Sequence, residues 1–257
     1  MKKAVLVVSF GTSYQETREK TIVACENKIK AAFEGYDFFR AYTSGMVIRK
    51  IAREEGFVID NPEEALQRIY ELGYEEVVVQ SLHIICGDEY TKIKDQVEAY
   101  KDKFKKITLG RPLLTLINDY KETVALLKQE LPELKEGEGI VFMGHGTEHP
   151  AHSAYCALDY MFDQEDMRIY VGTVEGYPEI DEVFKRLKRD NIKKIYLTPF
   201  MLVAGDHATN DMASDEEDSW KTRFEAAGYK VEIIFKGLGE YEGVQQRFIT
   251  HAKESIA

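Results

Sequence analysis

Short apolar runs alternate along the chain with segments of helical period. The runs are rich in Val, Ile and aromatic residues and end in turns that contain glycine, so each predicts a buried β-strand. They cover residues 4–10, 76–85, 139–143, 169–174 and 195–203. Because continuous apolar runs are typical of strands covered on both faces, we expect these to be central parallel strands.

Between the runs, apolar residues recur three and four positions apart, which predicts helices. These periodic segments cover residues 65–70, 90–104, 183–187 and 241–252. Strands that alternate with helices predict an α/β fold. In such sheets, ligands bind beyond the carboxyl ends of the strands.

The two halves of the chain resemble each other. Three pairs of segments match in the same order: residues 7–12 with 142–147, 61–64 with 177–180, and 74–88 with 192–206. The later pairs lie closer together along the chain, so the first half contains an extra segment near residues 45–60. The alternative is chance similarity among β-α turns, which any parallel-sheet protein contains.

We therefore predict an α/β fold of two similar halves, each a parallel sheet flanked by helices, with the active-site cleft between them. The halves are residues 1–130 and 131–257. The charged stretch of residues 130–137 is the predicted linker.

Composition and charge narrow the class of protein. The 257 residues are 44% hydrophobic, which is enough to fill a sizeable core. The 45 Asp and Glu residues exceed the 34 Lys and Arg residues, and the net charge of −11 argues against nucleic acid as a partner. No apolar stretch approaches the roughly 18 residues of a membrane span. The cysteines are far apart and form no C-x-x-C pair, so we expect a cytoplasmic protein that does not associate with membranes.

Histidines are concentrated after the predicted strands. Five of the six follow a strand end, and these are His83, His145, His149, His152 and His207. His145 stands between two glycines, which favours an imidazole projecting into the cleft; the alternative is a histidine hydrogen-bonded within the turn. A proline between His149 and His152 disrupts the helical geometry of a zinc hydrolase motif, so we expect structural or surface roles for these two.

Glu175 and His207 follow two further strands of the second half, so they can converge with His145. Two imidazoles and a carboxylate are typical of a site for Co, Fe, Ni or Zn, and three protein ligands leave open positions on the metal. The alternative for Glu175 is an acid at a helix start. The internal match places Glu89 where the second half has His207, so Glu89 is expected at the cleft as a proton acceptor, or else simply as a helix-end acid.

Four segments carry a resemblance to a known family. They read VVSFGTS at residues 7–13, LHIICGDEY at 82–90, MGHGT at 143–147 and PFMLVAGDHA at 199–208. In these segments the chain resembles the anaerobic-type sirohydrochlorin cobaltochelatases, often called CbiK. These are class II chelatases related in fold to ferrochelatase, and the resemblance covers essentially the whole chain.

The resemblance implies a metal chelatase, which is a lyase. Such an enzyme inserts Co²⁺, its substrate metal, into sirohydrochlorin or the reduced precursor precorrin-2 on the route to cobalamin, without ATP or an organic cofactor. It further implies that His145, Glu175 and His207 bind the metal and that His145 also accepts a proton. A homo-oligomer is compatible with this resemblance.

Residues beside the strand ends of the first half are expected to contact the substrate. These are Phe10, Thr12, Ser13 and His83. The carboxylates of the substrate require local positive charge, because the chain as a whole is acidic. Backbone N–H groups at helix starts are one source, and the basic candidates are Arg40, Arg49, Lys50, Arg53 and Lys92.

Other functions would use the same residues. A non-catalytic carrier of metal or tetrapyrrole would bind without turnover, and a zinc-dependent hydrolase would hold a reactive water on the same ligands. A ferrochelatase or nickel chelatase acting on the same tetrapyrrole is a further alternative, because such ligand sets accept several first-row metals.

Overall fold

The computed structural model of the chain describes residues 2–257. These residues form two compact units. The first contains the described residues up to Thr115 together with Gly239–Ala257, and the second contains Leu116–Leu238.

The first unit is built on a four-stranded parallel sheet with the strand order β2-β1-β3-β4. Its strands are β1 (Lys3–Ser9), β2 (Asp37–Tyr42), β3 (Glu76–Ser81) and β4 (Lys106–Gly110). Its helices are α1 (Gln15–Arg18), continued by a π-helical turn (Glu19–Val23) into α2 (Ala24–Ala32), then α3 (Gly45–Glu55), α4 (Pro62–Glu71), α5 (Asp88–Ala99), a 3₁₀ turn (Lys101–Lys103) and the last helix of the chain, α10 (Glu242–Glu254).

The second unit is built on another four-stranded parallel sheet, with the order β6-β5-β7-β8. Its strands are β5 (Glu138–Thr147), β6 (Ile169–Gly176), β7 (Lys194–Phe200) and β8 (Lys230–Ile233). Its helices are α6 (Ile117–Glu130), a 3₁₀ turn (Pro150–His152), α7 (Ser153–Gln164), α8 (Ile180–Arg189), a π-helical turn (Ala208–Met212) and α9 (Trp220–Ala226). A 3₁₀ turn (Leu238–Glu240) spans the boundary between the units.

Both sheets have the same strand order, which confirms the predicted α/β fold of two similar halves. In each unit the first strand lies between the second and the third, and the fourth lies at an edge. The central strands are buried over nearly their whole length, as residues 4–9 of β1 and residues 139–144 of β5 show. Helices on both faces of a sheet account for these continuous apolar runs.

The apolar runs do not predict three of the four edge strands. β2, β4 and β8 are partly exposed and mix charged with apolar residues, so their sequences give no continuous apolar run. The run at residues 169–174 is predicted as a central strand, but it forms β6, which lies at an edge of its sheet. The predicted central position is therefore wrong. The run is apolar because β6, although at an edge, is buried over its first five residues.

The extra segment predicted near residues 45–60 is helix α3. It lies between β2 and α4, whereas the second unit passes from β6 to α8 through a short turn at Tyr177-Pro178. The Ser44 hydroxyl accepts a hydrogen bond from the backbone N–H of Val47 at 3.3 Å and caps the helix. Ile51 anchors α3 in the core. One unit therefore carries a helix that the other lacks.

The last helix belongs to the first unit. It packs against α2, β3 and β4, and Phe248 and Ala252 on its buried side are fully inaccessible to solvent. The Nδ1 of His251 lies 3.1 Å from the carbonyl oxygen of Arg111. The apolar period at residues 241–252 predicts the helix but not which sheet it covers.

The compact units therefore differ from the predicted halves, residues 1–130 and 131–257. Helix α6 packs against α7 and belongs to the second unit. The stretch at residues 130–137, predicted as the linker, also lies within the second unit.

Each unit has its own hydrophobic core. Leu6, Leu66 and Val79 lie in the core of the first unit, and Val141 and Leu197 lie in that of the second. The helices contribute apolar sides to these cores and carry charges elsewhere. Within residues 2–257, none is long and apolar enough to cross a membrane.

Candidate active site

The end of β5 carries the first candidate ligand, His145, whose side chain is exposed. The buried ring of Tyr155 on α7 packs beneath this end of the strand. A Cβ atom at Gly144 would come within 2.5 Å of that ring, so glycine permits the close approach. Burial raises the pKa of Tyr155 to about 12. The strand is therefore supported by tight packing directly before His145.

Gly146 brings the ends of β5 and β6 together. Its φ is +81°, and a Cβ atom there would come within 1.7 Å of the carbonyl oxygen of Glu175. In the strand register, Gly146 pairs with Glu175. Any other residue would push the strands apart, so this glycine places His145 and Glu175 on adjacent strand ends.

Glu175 is exposed near the end of β6. The chain turns back just after it, because the backbone N–H and the hydroxyl of Thr173 both donate to the carbonyl of Pro178, at 2.7 and 2.9 Å. The N-cap of α8 is Glu179, so Glu175 is not at the helix start, which was the alternative for this residue. Its backbone is fixed while its side chain can rotate.

His207 lies in the connection that follows β7, several residues beyond the strand end. It directly precedes the π-helical turn Ala208–Met212, and the buried side chains of Ala208 and Met212 anchor that turn in the core of the second unit. The Nδ1 of His207 lies 2.7 Å from Oδ2 of Asp211.

The structure brings His145 and His207 together. Their ring centroids are 4.6 Å apart, and the rings meet edge to face. The Nδ1 of His145 lies 3.1 Å from the carbonyl oxygen of Gly146. Because a carbonyl can only accept, Nδ1 carries the hydrogen and Nε2 keeps its lone pair. The carboxylate of Asp211 has the same effect on His207, so both imidazoles offer Nε2 to a metal.

Three ligands are not already assembled. Among residues 2–257, no group of three or more His, Cys, Asp or Glu side chains is arranged to hold a metal ion. The predicted set is thus a pair of adjacent histidines, His145 and His207, with the Glu175 carboxylate on the neighbouring strand end.

His149 and His152 have local structural roles. The Nδ1 of His149 accepts a hydrogen bond from the backbone N–H of Ala151 at 3.1 Å and caps the 3₁₀ turn. The Nδ1 of His152 lies 3.1 Å from the carbonyl oxygen of His149. These contacts agree with the predicted structural roles and not with a zinc hydrolase motif.

The charge around the candidate ligands favours cations. Residues 136–167, 169–184 and 195–220 supply His145, Glu175 and His207, and these segments contain no Lys or Arg but several Asp and Glu residues. A surface of one charge sign raises the local concentration of ions of the opposite sign. This part of the second unit therefore suits a divalent cation rather than an anionic group.

Glu89 lies in the first turn of α5, in the first unit. Its carboxylate accepts a hydrogen bond from Nζ of Lys92 at 2.7 Å. Burial alone would raise the pKa of Glu89, but the hydrogen bonds with Lys92 and Thr43 and the charge of Lys92 outweigh it, and the pKa lies below its usual value. This position is that of a helix-end acid, and the ionised carboxylate is also chemically suited to accept a proton.

His83 follows β3 in the first unit. The Ser81 hydroxyl lies 2.9 Å from its Nδ1 and also accepts a hydrogen bond from its backbone N–H. The Nε2 atom is shielded from solvent and, within residues 2–257, has no hydrogen-bond partner. Burial lowers the pKa of His83 to about 4, so the ring is neutral at physiological pH.

The other predicted substrate contacts follow β1. Phe10 is 48% exposed. Thr12 is buried, and its hydroxyl accepts a hydrogen bond from the backbone N–H of Tyr14 at 3.2 Å, just before α1. Ser13 is half-buried. Phe10 therefore offers an apolar surface, whereas the Thr12 hydroxyl also supports the local turn.

Most of the basic candidates are already paired. The pairs are Arg40 with Glu26, Arg53 with Glu54 and Lys92 with Glu89. In the described part of the chain, Arg49 and Lys50 have no carboxylate partner, and Nζ of Lys50 lies 5.7 Å from the centre of the Tyr14 ring. The unpaired positive charge of this group is thus on helix α3.

The sequence analysis does not predict two residues of the site, Tyr155 and Asp211. The spacing of four between His207 and Asp211 is a signal that could have identified the pair, because residues four apart lie on one face of a helix. Tyr155 reaches the end of β5 from a different helix and has no local signal.

Comparisons with known proteins agree on one family. The family described as cobalt chelatase (CbiK) matches residues 3–257. A sirohydrochlorin cobaltochelatase of Salmonella typhimurium is 48% identical over 256 residues, which cover 100% of this chain and 97% of that protein. The sirohydrochlorin cobaltochelatase CbiKC of Nitratidesulfovibrio vulgaris is 35% identical over 259 residues and is covered to 91%, with 100% of this chain aligned.

Solved structures share the fold at low sequence identity. SirB from Bacillus subtilis with Fe³⁺ matches with a TM-score of 0.66 at 15% identity, over 100% of this chain and 96% of that one. DR2241 from Deinococcus radiodurans, a multi-domain protein with structural similarity to chelatases, matches with a TM-score of 0.62 at 12% identity, over 99% of this chain and 56% of that one. These matches confirm the predicted chelatase-like fold. With the family match over residues 3–257, they lead to the conclusion that the chain belongs to the cobalt chelatase (CbiK) family.

Proposed function

We propose that the protein is a sirohydrochlorin cobaltochelatase, which inserts Co²⁺ into sirohydrochlorin or its reduced precursor precorrin-2. Family membership and the relative at 48% identity support this function. The single structural observation that carries it is the pair of imidazoles, His145 and His207, with ring centroids 4.6 Å apart and both Nε2 atoms free.

In this proposal His145, His207 and Glu175 bind the Co²⁺ substrate. Imidazole nitrogens and a carboxylate oxygen suit a divalent first-row metal, and the carboxylate also lowers the net charge of the bound ion. Three protein ligands leave positions open for water and then for the nitrogens of the macrocycle. The exposed side chain of Glu175 can follow the ion and then release it.

Insertion replaces two pyrrole N–H hydrogens by the ion, so two protons must leave the macrocycle. The Nε2 of His145 has one lone pair, which binds the ion first and is free to accept a proton once the ion has moved to the ring nitrogens. Glu89 is the second proposed acceptor. Its carboxylate is ionised at neutral pH, and the lowered pKa makes it a weaker base than an ordinary glutamate, so it would pass the proton on readily.

The substrate contacts in this proposal come from the first unit. Phe10 supplies an apolar surface, and Thr12, Ser13 and His83 supply polar groups. The carboxylates of the tetrapyrrole bind Arg49 and Lys50 on α3. The other basic candidates are less available for this role, because each already pairs with a glutamate. These are Arg40, Arg53 and Lys92.

The proposed reaction uses neither ATP nor an organic cofactor. Four new metal–nitrogen bonds replace the ligands and waters of the ion, and each proposed step is an exchange of ligands or protons.

We place the reaction in the cytoplasm, because Cys25, Cys86 and Cys156 are free thiols and suit a reducing compartment.

The first test follows the absorbance of sirohydrochlorin with the protein and Co²⁺, Fe²⁺ or Ni²⁺ in turn, without ATP. We expect metallation with Co²⁺ to be much faster than in a control without protein. A tightly bound ion without metallation would indicate a carrier instead. Ester hydrolysis that depends on the same ligands would indicate a hydrolase, and faster metallation with Fe²⁺ or Ni²⁺ would change the assigned metal.

Ligand variants test the site in the same assay. We expect His145→Ala, Glu175→Ala and His207→Ala each to lower the metallation rate by about 100-fold or more, because each removes a metal ligand. The fold should persist in circular dichroism, since exposed strand-end side chains contribute little to the core. His149→Ala and His152→Ala are the controls and should change the rate only slightly. A normal rate for His145→Ala would contradict the proposed site.

Glu89→Gln tests the second proton acceptor. The change keeps the shape of the side chain and removes its basicity, so we expect turnover to fall by about 10- to 100-fold with KM for Co²⁺ unchanged. Glu98→Gln is a matched control, because Glu98 lies on the same helix and pairs with Lys101 three residues later, as Glu89 pairs with Lys92. Equal turnover in the two variants would contradict the role of Glu89 as a proton acceptor and would show that it is only a helix-end acid.

Arg49→Ala and Lys50→Ala test the binding of the substrate carboxylates. Loss of a charge-assisted hydrogen bond costs about 1.5 to 3 kcal/mol, so we expect KM for sirohydrochlorin to rise by about 10-fold or more while KM for Co²⁺ stays unchanged. Arg53→Ala is the control on the same helix, because Arg53 already pairs with Glu54. An unchanged KM for sirohydrochlorin in the Arg49→Ala, Lys50→Ala double variant would rule out this role.

The low pKa of His83 predicts a pH-dependent stability. Between the unfolded value of about 6.5 and the folded value of about 4, the unfolded chain binds a proton that the folded protein does not. The neutral His83 therefore contributes its full share of the free energy of unfolding above pH about 6.5. This share, at most about 3 kcal/mol, is lost as the pH falls toward 4. Urea unfolding at a series of pH values measures it. We expect a flatter pH dependence for His83→Gln, and parallel curves for the two proteins would contradict the prediction.

A further inference from the structure

Asp211 is the acid four residues after His207, in the π-helical turn Ala208–Met212. Its Oδ2 lies 2.7 Å from Nδ1 of His207, a length typical of a strong hydrogen bond to a carboxylate. No other element is needed to form this contact, because side chains four residues apart share one face of a helical turn. The pair is therefore built into the local sequence.

The backbone that carries this pair is held on both sides. The backbone N–H and the hydroxyl of Thr209 both donate to the carbonyl of Gly205, each at 2.9 Å. After the turn, the hydroxyl of Ser214 donates to the carbonyl of Asn210 at 2.6 Å. With Met212 fully buried, the Asp211 carboxylate is presented to His207 from a fixed position.

The contact determines which nitrogen of His207 is free. A neutral imidazole carries its hydrogen on one nitrogen only, and an ionised carboxylate can only accept a hydrogen bond. Nδ1 of His207 therefore carries the hydrogen, and Nε2 keeps the lone pair. Without an acceptor at Nδ1, the tautomer with the hydrogen on Nε2 competes, and in that tautomer Nε2 cannot bind a metal.

We propose that Asp211 is a positioning residue for metal binding, which fixes the tautomer and the ring orientation of His207 so that its Nε2 faces the Co²⁺ substrate. The inference rests on the proposed function, in which His207 is a metal ligand. A carboxylate behind a histidine ligand also makes the imidazole a stronger donor to the metal. Asp211 itself does not contact the ion in this arrangement.

The two histidines of the pair differ in this respect. The Nδ1 of His145 is held by the carbonyl of Gly146, a backbone group that no substitution removes. His207 depends on a side chain, so its tautomer alone can be changed by a single substitution outside the ligand set. Asp206, directly before His207, offers a control, because it is a neighbouring acid whose carboxylate accepts a hydrogen bond from Nδ2 of Asn210.

The experiment compares Asp211→Leu with Asp206→Leu, the same substitution at a neighbouring acid. We expect Asp211→Leu to raise KM for Co²⁺ by about 10- to 100-fold, with a smaller change in turnover at saturating Co²⁺ and with KM for sirohydrochlorin unchanged. Asp206→Leu should leave all three values near those of the parent protein. Asp211→Asn should retain most of the affinity, because its amide oxygen can still accept from Nδ1. Asp211→Ser, which is too short to reach His207, gives a second loss variant with a polar side chain.

A spectroscopic readout separates tautomer control from a general structural effect. In the metal-free protein at pH about 8, where an ordinary imidazole is neutral, ¹⁵N spectra of the histidine rings distinguish protonated from bare nitrogens. We expect His207 to be protonated at Nδ1 in the parent protein and to shift toward protonation at Nε2 in Asp211→Leu and Asp211→Ser, but not in Asp206→Leu.

The outcomes distinguish this inference from the proposed function. If His207→Ala leaves KM for Co²⁺ unchanged, the assignment of His207 as a ligand is wrong. If His207→Ala raises that KM but Asp211→Leu and Asp211→Ser change neither the KM nor the ring spectrum, the role of Asp211 is overturned while the ligand set stands.

Discussion

The candidate site depends on the close approach of β5 and β6 at Gly146. The two strand ends can pair here because Gly146 has no side chain: a Cβ atom at this point would lie 1.7 Å from the carbonyl oxygen of Glu175. The pairing places the backbones of His145 and Glu175 on adjacent strand ends. The surrounding contacts serve the same geometry: Tyr155 supports β5 from below, and the hydrogen bonds from Thr173 to Pro178 close the turn after β6. The positions of the candidate ligands at this edge of the sheet are thus determined by the packing of the backbone.

The two units share a topology but differ in chemistry. The end of β1 reads Phe10-Gly11 where the end of β5 reads His145-Gly146, so one unit has an apolar ring at this position and the other an imidazole. The second unit has no Lys or Arg in the segments that carry its candidate ligands, whereas the first carries unpaired cationic side chains on α3, a helix that the second lacks. The two units thus differ in the charge of the segments that carry their candidate residues.

Burial explains which parts of the fold the sequence predicts. β1, β3, β5 and β7 are covered on both faces and appear as continuous apolar runs, whereas β2, β4 and β8 expose one edge and mix charged with apolar residues. Candidate ligands at strand ends are predictable because parallel strands end at one edge of a sheet. Tyr155 supports the end of β5, and α10 packs in the first unit, through contacts between segments that are distant in the sequence. No local sequence pattern predicts such contacts.

The proposed chelatase must give its metal away, so its ligands must bind the ion and also release it. A preassembled set of three or four ligands would hold the ion tightly, as structural metal sites do. Here two imidazoles are oriented by hydrogen bonds at Nδ1, while Glu175, the third proposed ligand, is an exposed carboxylate that forms no three-ligand group with them among residues 2–257. In the proposed mechanism the fixed pair binds the ion with little loss of side-chain entropy, and departure of the Glu175 carboxylate opens a coordination position. Because the Nε2 of His145 is proposed to accept a proton once the ion has left it, release of the ion to the macrocycle and uptake of one pyrrole proton are coupled at the same nitrogen in the proposed mechanism.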